Sequence, residues 1–561
     1  MKAKVGVYVC ECGPNISEKI DIDRILEALP GLEEYRDIEL VVKRFGLLCS
    51  GDGKTFLEDE INNNGLTHLV LGACSPRDHD KTFIAVCKKT SLNPFLYKII
   101  NIREHCAWII PDKDQATDKA ITYMRAGINR VLFQSALMEK KLDINPDVII
   151  VGGGIAGIEA SLSLAAKDRM VYLVEKDDHL GGKAVLFGGL LPRQGGGSAK
   201  IREKIESVLG NDRIKVYLES ELKNVIGFLG NFEVMVAGGE GGEERELKVG
   251  AIIVATGSGM SDPSALDGLK YSEADEVITS MDAERMFAKD GKISLKSGGE
   301  PKSVALIHCV GREEKGYCSR ICCNYMMKIA GYLKDQSADM RVIEFHRGLC
   351  LPDKADQGFQ KETEGRGVEF KRVRELTIAG TKVNAEGMDG KSEALDFDLV
   401  ILAPALEPSE GTEGMAELLG VPLSESGYYQ EIHQTTNPVA TSIEGVFVVG
   451  AAHSPKGITD SMLFAQASAG KILSQLIPGG KITPEIKVSE ILEAYCTGCG
   501  NCLDVCVYGA IYYDEGRGIS VVNEAVCRGC GNCFGSCPSG ALRTKHFTNT
   551  QLYEEMREAI R

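Results

Sequence analysis

Asp147-Val148-Ile149-Ile150-Val151-Gly152-Gly153-Gly154-Ile155-Ala156-Gly157 is an apolar run cut by glycines, and a stretch rich in Ala and Leu continues it to about Ala166. The apolar residues read as a strand buried on both faces, and Gly152-x-Gly154-x2-Gly157 as the turn into a helix. In such a turn Gly152 makes the tight bend, Gly154 lets a pyrophosphate approach backbone N–H groups, and Gly157 lets helix and strand pack closely. A second strand, Val171 to Val174, ends in Glu175, at the distance where an acid meets the ribose hydroxyls of a bound dinucleotide. An ordinary strand-turn-helix without a ligand is the alternative reading.

Downstream, Gly181-Gly182-Lys183 resembles the pyrophosphate-side turn of flavoproteins with two dinucleotide domains. Ala251 to Val254 with Ala255-Thr256-Gly257 resembles their second block. Ser442 to Gly450, followed by a helix from about Asp460, resembles their last, where a helix N-terminus faces the flavin. FAD is the expected cofactor, held by Gly152, Gly154, Gly157, Glu175, Gly182, Lys183, Thr256, Gly257 and Gly450. Ala451 stands where many such proteins place an aspartate on the ribityl chain, so that hydrogen bond is absent or supplied differently.

Where nicotinamide-dependent relatives carry a second glycine fingerprint, the strand Ser303 to Ile307 runs instead into His308-Cys309-Val310-Gly311-Arg312. Cys318-x3-Cys322-Cys323 follows on what reads as the start of a helix, with Cys318 and Cys322 on one face a turn apart. With Cys309 these are four thiols suited to a [4Fe-4S] cluster; buried inert cysteines are the other reading. No cysteine follows Gly182 for more than a hundred residues, so a dithiol acting directly on the flavin is not expected.

The chain has 19 cysteines: six before residue 110, five between 309 and 350, and eight between 496 and 537. Such clustering points to metal or redox chemistry rather than disulfides. Cys496-x2-Cys499-x2-Cys502-x3-Cys506 is followed by Cys527-x2-Cys530-x2-Cys533-x3-Cys537. In this doubled register three thiolates of one loop wrap a cubane and the fourth reaches the other cluster. That assigns Cys496, Cys499, Cys502 and Cys537 to one cluster and Cys527, Cys530, Cys533 and Cys506 to the second; paired zinc knuckles are the alternative. Val507 replaces the proline usual after the fourth cysteine. Near the N-terminus, strands Val5 to Cys10, Ile38 to Phe45, His68 to Gly72 and Phe95 to Ile102 alternate with helices Thr55 to Asn64 and His79 to Lys88. A long helix from about Ala116 to Leu137 leads out. Cys10, Cys49, Cys74 and Cys106 each fall at or after a strand end, where a parallel sheet gathers its binding site.

The 561 residues suggest three or four domains, given ~100–200 residues per domain. The expected divisions are 1–140 (α/β, iron-sulfur), 141–300 and 406–480 (FAD-binding), 301–405 (nicotinamide-domain-like, with a cluster) and 488–561 (α+β ferredoxin). A net charge of −16 argues against nucleic-acid binding. No run is long enough to span a bilayer, and the first residues lack a secretory signal, so direct membrane insertion is not expected and the cytoplasm is the expected location.

Cys10-Glu11-Cys12-Gly13, Ala73-Cys74-Ser75-Pro76-Arg77, Asn101-Ile102-Arg103-Glu104-His105-Cys106 and Tyr317-Cys318-Ser319-Arg320-Ile321-Cys322-Cys323 together make the chain similar to the A subunit of heterodisulfide reductase and its relatives. The resemblance covers nearly the whole chain. It implies thioredoxin-reductase-like FAD-binding domains with a cluster in the nicotinamide position, an N-terminal cluster domain and a ferredoxin module. It implies that Lys328 lies near the flavin N5, and leaves Cys12 able to replace Cys10 as a ligand. Implied partners are ferredoxin, subunits resembling the B and C components, and a hydrogenase-linked or other electron-input subunit, in a hetero-oligomer. The implied activity is electron transfer, with flavin-based bifurcation or its reverse leading; a direct NAD(P)H oxidoreductase, a passive electron wire and a quinone-linked subunit are the rivals. Longer relatives insert a further ferredoxin domain within the flavin domain, and between Gly182 and Ala251 this chain has no cysteine to supply one.

Overall fold

A computed structural model describes residues 3–560 apart from 31–34, 36, 166–168, 187–196, 240–241, 267–268, 270 and 272–273. The chain divides into two compact units, Leu142–Ile482 and Met1–Lys141 with Thr483–Arg561. The N-terminal and C-terminal segments, read from sequence as separate domains, thus share one unit.

The chain begins with β1 (Lys4–Cys10), α1 (Ile22–Ala28), β2 (Glu39–Phe45), α2 (Gly51–Asn64), β3 (His68–Ala73), α3 (Pro76–Cys87), β4 (Tyr97–Asn101) and α4 (Lys113–Val131). The strands form a parallel sheet in the order β2-β1-β3-β4. β1 is central and buried on both faces, as its continuous apolar sequence requires. The Ser50 side chain accepts from Gly53 N at the start of α2, and Pro76 opens α3 behind Ser75. α4 ends at Val131, short of the expected Leu137, because the chain beyond it is drawn into contacts with the C-terminal segment. Gln551 donates to the Phe133 carbonyl at 2.8 Å and Arg130 to the His546 carbonyl at 3.0 Å.

The second unit opens with β5 (Val148–Val151), α5 (Ile155–Ala165), β6 (Val171–Val174), β7 (Ile214–Tyr217) and β8 (Ala251–Val254). The expected end of α5 at Ala166 lies outside the described residues. A second sheet then forms from β9 (Val277–Thr279), β10 (Ser303–Val310), β11 (Arg341–His346), β12 (Val368–Ala379), β13 (Lys382–Gly387), β14 (Ser392–Asp396) and β15 (Leu399–Pro404), in the order β9-β15-β10-β11-β12-β13-β14. α6 (Ser280–Asp290) and α7 (Cys322–Gln336) belong to this part. β16 (Val446–Val448) returns to complete the first sheet, β16-β8-β5-β6-β7, and α8 (Ile458–Gln475) packs on α5. The three flavin blocks quoted from sequence are therefore neighbouring parallel strands, β5, β8 and β16, and deliver their loops to one sheet edge.

The C-terminal segment contributes two hairpin-like pairs, β17 (Ser489–Ile491) with β20 (Leu542–Thr544) and β18 (Ile511–Asp514) with β19 (Ile519–Val522). Its last helix, α9 (Asn549–Ala559), lies against α4. Glu555 pairs with both Lys98 and Arg130, and Glu558, 1% exposed, meets Arg125 at 2.9 Å.

Candidate redox sites

The glycine turn after β5 is held from behind. Gly153 N–H donates to Glu175 Oε2 at 2.6 Å, and Asp177 N–H to Oε1 at 3.0 Å, with Glu175 buried. Gly181 N–H donates to the Gly153 carbonyl at 2.9 Å, so the Gly181-Gly182 turn lies along the first. A Cβ on Gly157 would stand 1.9 Å from the Gly152 carbonyl oxygen, whereas one on Gly154 would meet nothing within 4 Å. The turn is thus packed on one side and open at Gly154, before the N-terminus of α5, as a pyrophosphate group requires. Lys183 donates to the Ser258 carbonyl, and its pKa is lowered, mainly by burial. Thr256 and Gly257 follow β8, with the Thr256 side-chain oxygen buried. Gly450 closes the set: a Cβ there would lie 2.8 Å from Ala156 Cβ in the first turn of α5. Lys328, on α7, is buried and ion-paired with Glu284 of α6, its Nζ 5.6 Å from the Tyr332 ring. Burial lowers its pKa while Glu284 opposes.

The ladder between β10 and β15 shifts register between Ile307 and Val310, and Cys309 takes a left-handed φ of 61°. This bulge lifts Cys309 out of the sheet. Contrary to the helical expectation, Cys318 precedes α7. Arg320, at φ 61°, breaks the run, and its N–H donates to Cys318 Sγ at 3.4 Å. Cys322 begins α7 and is raised by its hydrogen bond to Cys323; Cys323 is lowered to about 4, chiefly because Cys322 donates to it, with His308 adding. Cys309, Cys318 and Cys323 all lie within electrostatic reach of Cys322, and Arg312 places Nη1 4.0 Å from Cys309 Sγ.

Sequence reasoning missed three residues here. Cys350 donates its N–H to Cys323 Sγ at 3.3 Å, and its thiol hydrogen-bonds Cys318; the signal available was a fifth cysteine in a group counted as four. His308 Nε2 and Glu344 Oε2 meet at 2.8 Å with both side chains fully buried. Burial alone would lower His308, but the neighbouring Cys323 thiol and Glu344 raise it to about 10.

In the other unit, Cys10, Cys12, Cys49 and Cys74 come together. Burial raises Cys10, with Cys12 and Cys49 adding; burial raises Cys74 to about 11 against Arg103, with Cys12 and Cys10 adding. Cys12 carries a φ of 49°, and Arg103 Nη1 stands 4.0 Å from its Sγ. Cys106 packs in a different core cluster from Cys10, with Cys12 against both. It sits in a π-helical turn, Arg103–Ala107, fully buried among Val7, Ile102 and Met124, while Cys10 packs with Leu48 and Leu57. Cys12, Cys309 and Arg320 are three of the five described non-glycine residues with positive φ, and all three are in cysteine loops. Such strain collects at functional sites.

The C-terminal cysteines line two cavities of nearly equal size, about 300 and 290 Å³ counting the space at their mouths. Cys496, Cys499, Cys502 and Cys537 line the first; Cys506, Cys527, Cys530 and Cys533 line the second. Each loop thus sends its fourth cysteine to the other cavity, and the donor sets fit four-iron clusters. Ala510 N–H donates to Cys506 Sγ at 3.2 Å and Gly529 N–H to Cys527 Sγ at 3.4 Å. Burial would raise Cys537, but the Ser539 hydroxyl and the backbone at Leu542 and Ala541 hold it below the usual thiol value. Val507 is exposed beside Cys506.

A glycine-turn sheet completed by three flavin blocks, joined in one chain to a doubled cysteine module, defines an iron-sulfur flavoprotein oxidoreductase. Residues 146–469 match the pyridine nucleotide-disulphide oxidoreductase family, and residues 495–541 the 4Fe-4S dicluster domain. The chain belongs to the family of heterodisulfide reductase A subunits. It is 31% identical over 651 residues to the A subunit of the H(2):CoB-CoM heterodisulfide,ferredoxin reductase of Methanothermobacter marburgensis, covering 99% of this chain and 97% of that one. It is 31% identical over 647 residues to the A subunit of the ferredoxin/F(420)H(2)-dependent CoB-CoM heterodisulfide reductase of Methanosarcina acetivorans, covering 99% and 81%. Both alignments are longer than this chain, so the relatives carry internal residues that it lacks. The thioredoxin reductase of T. acidophilum is a structural neighbour at 19% identity, covering 59% of this chain and 98% of that one with a TM-score of 0.41. Among the described residues no helix is long and apolar enough to cross a membrane.

Proposed function

We propose that this chain is the electron-transfer subunit of a heterodisulfide-reductase-like complex, coupling ferredoxin-type and higher-potential partners by flavin-based bifurcation or confurcation. Bound FAD supplies the exchange between electron pairs and single electrons. Gly154 leaves the turn open to it, while Gly152, Gly157, Gly182 and Gly450 let the surrounding backbone pack closely; Glu175 holds the Gly153 turn, and Thr256, Gly257 and Lys183 border the cradle. Lys328, held by Glu284, supplies a buried cation to the same unit.

Four clusters are proposed. Two take the C-terminal quartets, one takes Cys309, Cys318, Cys322 and Cys323 with Cys350 beside them, and one takes Cys10, Cys12, Cys49 and Cys74. The carrying observation is the exchange of Cys506 and Cys537 between the two C-terminal cavities, which suits a paired-cluster relay. Proposed partners are ferredoxin, subunits resembling the B and C components, and a hydrogenase-linked or other electron-input subunit, in a cytoplasmic hetero-oligomer. The names of both relatives include ferredoxin and the CoB-CoM heterodisulfide, which supports that class.

Anoxic purification with its partners tests the reading: about sixteen irons and one FAD per chain are expected. Stopped-flow spectra showing no coupling between high- and low-potential acceptors would remove bifurcation. Rapid bleaching of the flavin by NADH in the isolated chain would favour a direct NAD(P)H oxidoreductase.

A further inference from the structure

Between Gly450 and α8 the chain reads Ala451-Ala452-His453-Ser454-Pro455-Lys456-Gly457. Lys456 is only 6% exposed and His453 8%, a rare degree of burial for a lysine. Lys456 Nζ lies 2.7 Å from His453 Nδ1, donates to Ser454 Oγ, and stands 4.3 Å from the centre of the Phe464 ring. On its other side His453 Nε2 is 3.5 Å from Glu431 Oε2, and the Glu431 side chain is partly exposed. The remaining charged groups facing Lys456 are Arg320 and Asp460, themselves 3.9 Å apart.

The position of this cluster gives it meaning. Gly457 caps α8, and a Cβ there would stand 3.6 Å from Ile321, the residue before Cys322. Lys456 therefore sits where the loop after Gly450 meets the loop of the middle cysteines, and neither the flavin cradle nor the thiol groups make use of it. Burial leads in lowering Lys456 to about 8, with Arg320 adding and Asp460 and Glu431 opposing. Negative charge placed nearby would favour its ammonium form again.

We propose that Lys456 is a positioning residue that takes up a proton when this unit is reduced and releases it on reoxidation, with His453 and Glu431 leading from its amine towards solvent. The electron comes from a ferredoxin-type donor and the proton from solvent: one N–H of Lys456 forms as one O–H of the solvent donor breaks, and both changes reverse on reoxidation. The inference rests on the FAD and cluster reading above.

The test is the flavin midpoint potential of the anoxic holoprotein, with dithionite as reductant, from about pH 6.5 to 9.5 in wild type, Lys456→Arg and Lys456→Met. Arginine stays charged throughout and methionine never is. Wild type is expected to follow Lys456→Arg at the acid end and to cross to Lys456→Met at the alkaline end. Parallel curves overturn the inference alone, while a wild type without FAD overturns the site reading and the inference together. Should Lys456→Met fail to fold, an unchanged pH slope between wild type and Lys456→Arg still overturns it.

Discussion

Gly153 gives its backbone N–H to Glu175 Oε2 at 2.6 Å, so the acid at the end of β6 holds the glycine turn from inside the protein. Glu175→Ala leaves that buried donor without a partner, at a cost of about 1–3 kcal/mol. If the strain falls on the turn, FAD affinity drops by about 5- to 150-fold. Glu175→Gln is expected to fall between, since its amide oxygen can accept from only one of the Gly153 and Asp177 N–H groups and its NH2 meets the other donor-to-donor. FAD retained through gel filtration, measured by absorbance, checks both variants.

Glu555 ties α9 to the N-terminal sheet and helix through Lys98 and Arg130. Burial would raise its pKa, but the two cations outweigh burial and hold it below the usual carboxylate value. A depressed folded pKa contributes stability that is present above the unfolded value of about 4.3 and is lost as pH falls through the folded one. Hydrogen exchange in α9 should therefore stay slow at neutral pH and accelerate only at the acid end. Glu555→Gln should accelerate it already at pH 7, by about 2–3 kcal/mol of lost protection, because the buried Arg130 and the largely buried Lys98 then face no charge from it.

What the sequence made legible was local. The glycine turn, the acid after β6 and the fourth-cysteine exchange are short-range spacings, and the described strands and cavities follow them. Pairings set by distant packing were not legible. The His308–Glu344 pair joins neighbouring strands 36 residues apart, and Cys350 reaches Cys323 across 27. The helical reading of Cys318 failed because Arg320 adopts a left-handed φ, which no helix propensity reveals. At the N-terminus four strand ends seemed to offer one cysteine each, but side chains leave a sheet on two faces. Cys106 packs on the face away from Cys10, while Cys12 packs against both clusters.

The proposed choice of Cys12 over Cys106 as a ligand is open to a direct count. Cys12→Ser should lower the iron content by about four per chain, the loss of one cubane, whereas Cys106→Ala should leave it unchanged. Cys106 is fully buried among apolar side chains, so its truncation should cost about 1 kcal/mol in unfolding free energy. Iron quantification with Mössbauer spectra on both variants separates the two outcomes, and equal losses would return Cys106 to the ligand set.

His308 and Glu344 face each other at 2.8 Å with no solvent on either side chain, beside the thiols at Cys323. Removing one partner strands the other's charge in the sheet core. Glu344→Ala should therefore destabilise Leu142–Ile482 by about 3–5 kcal/mol, more than the cavity alone would explain. The double variant His308→Phe/Glu344→Leu, which replaces the pair by apolar groups of similar size, should recover most of that loss. Thermal unfolding of His308→Phe, Glu344→Leu and the double variant closes the cycle. A double variant as unstable as the sum of the singles would mean that each residue acts through separate neighbours, with His308 bound to the cysteine loop rather than to Glu344.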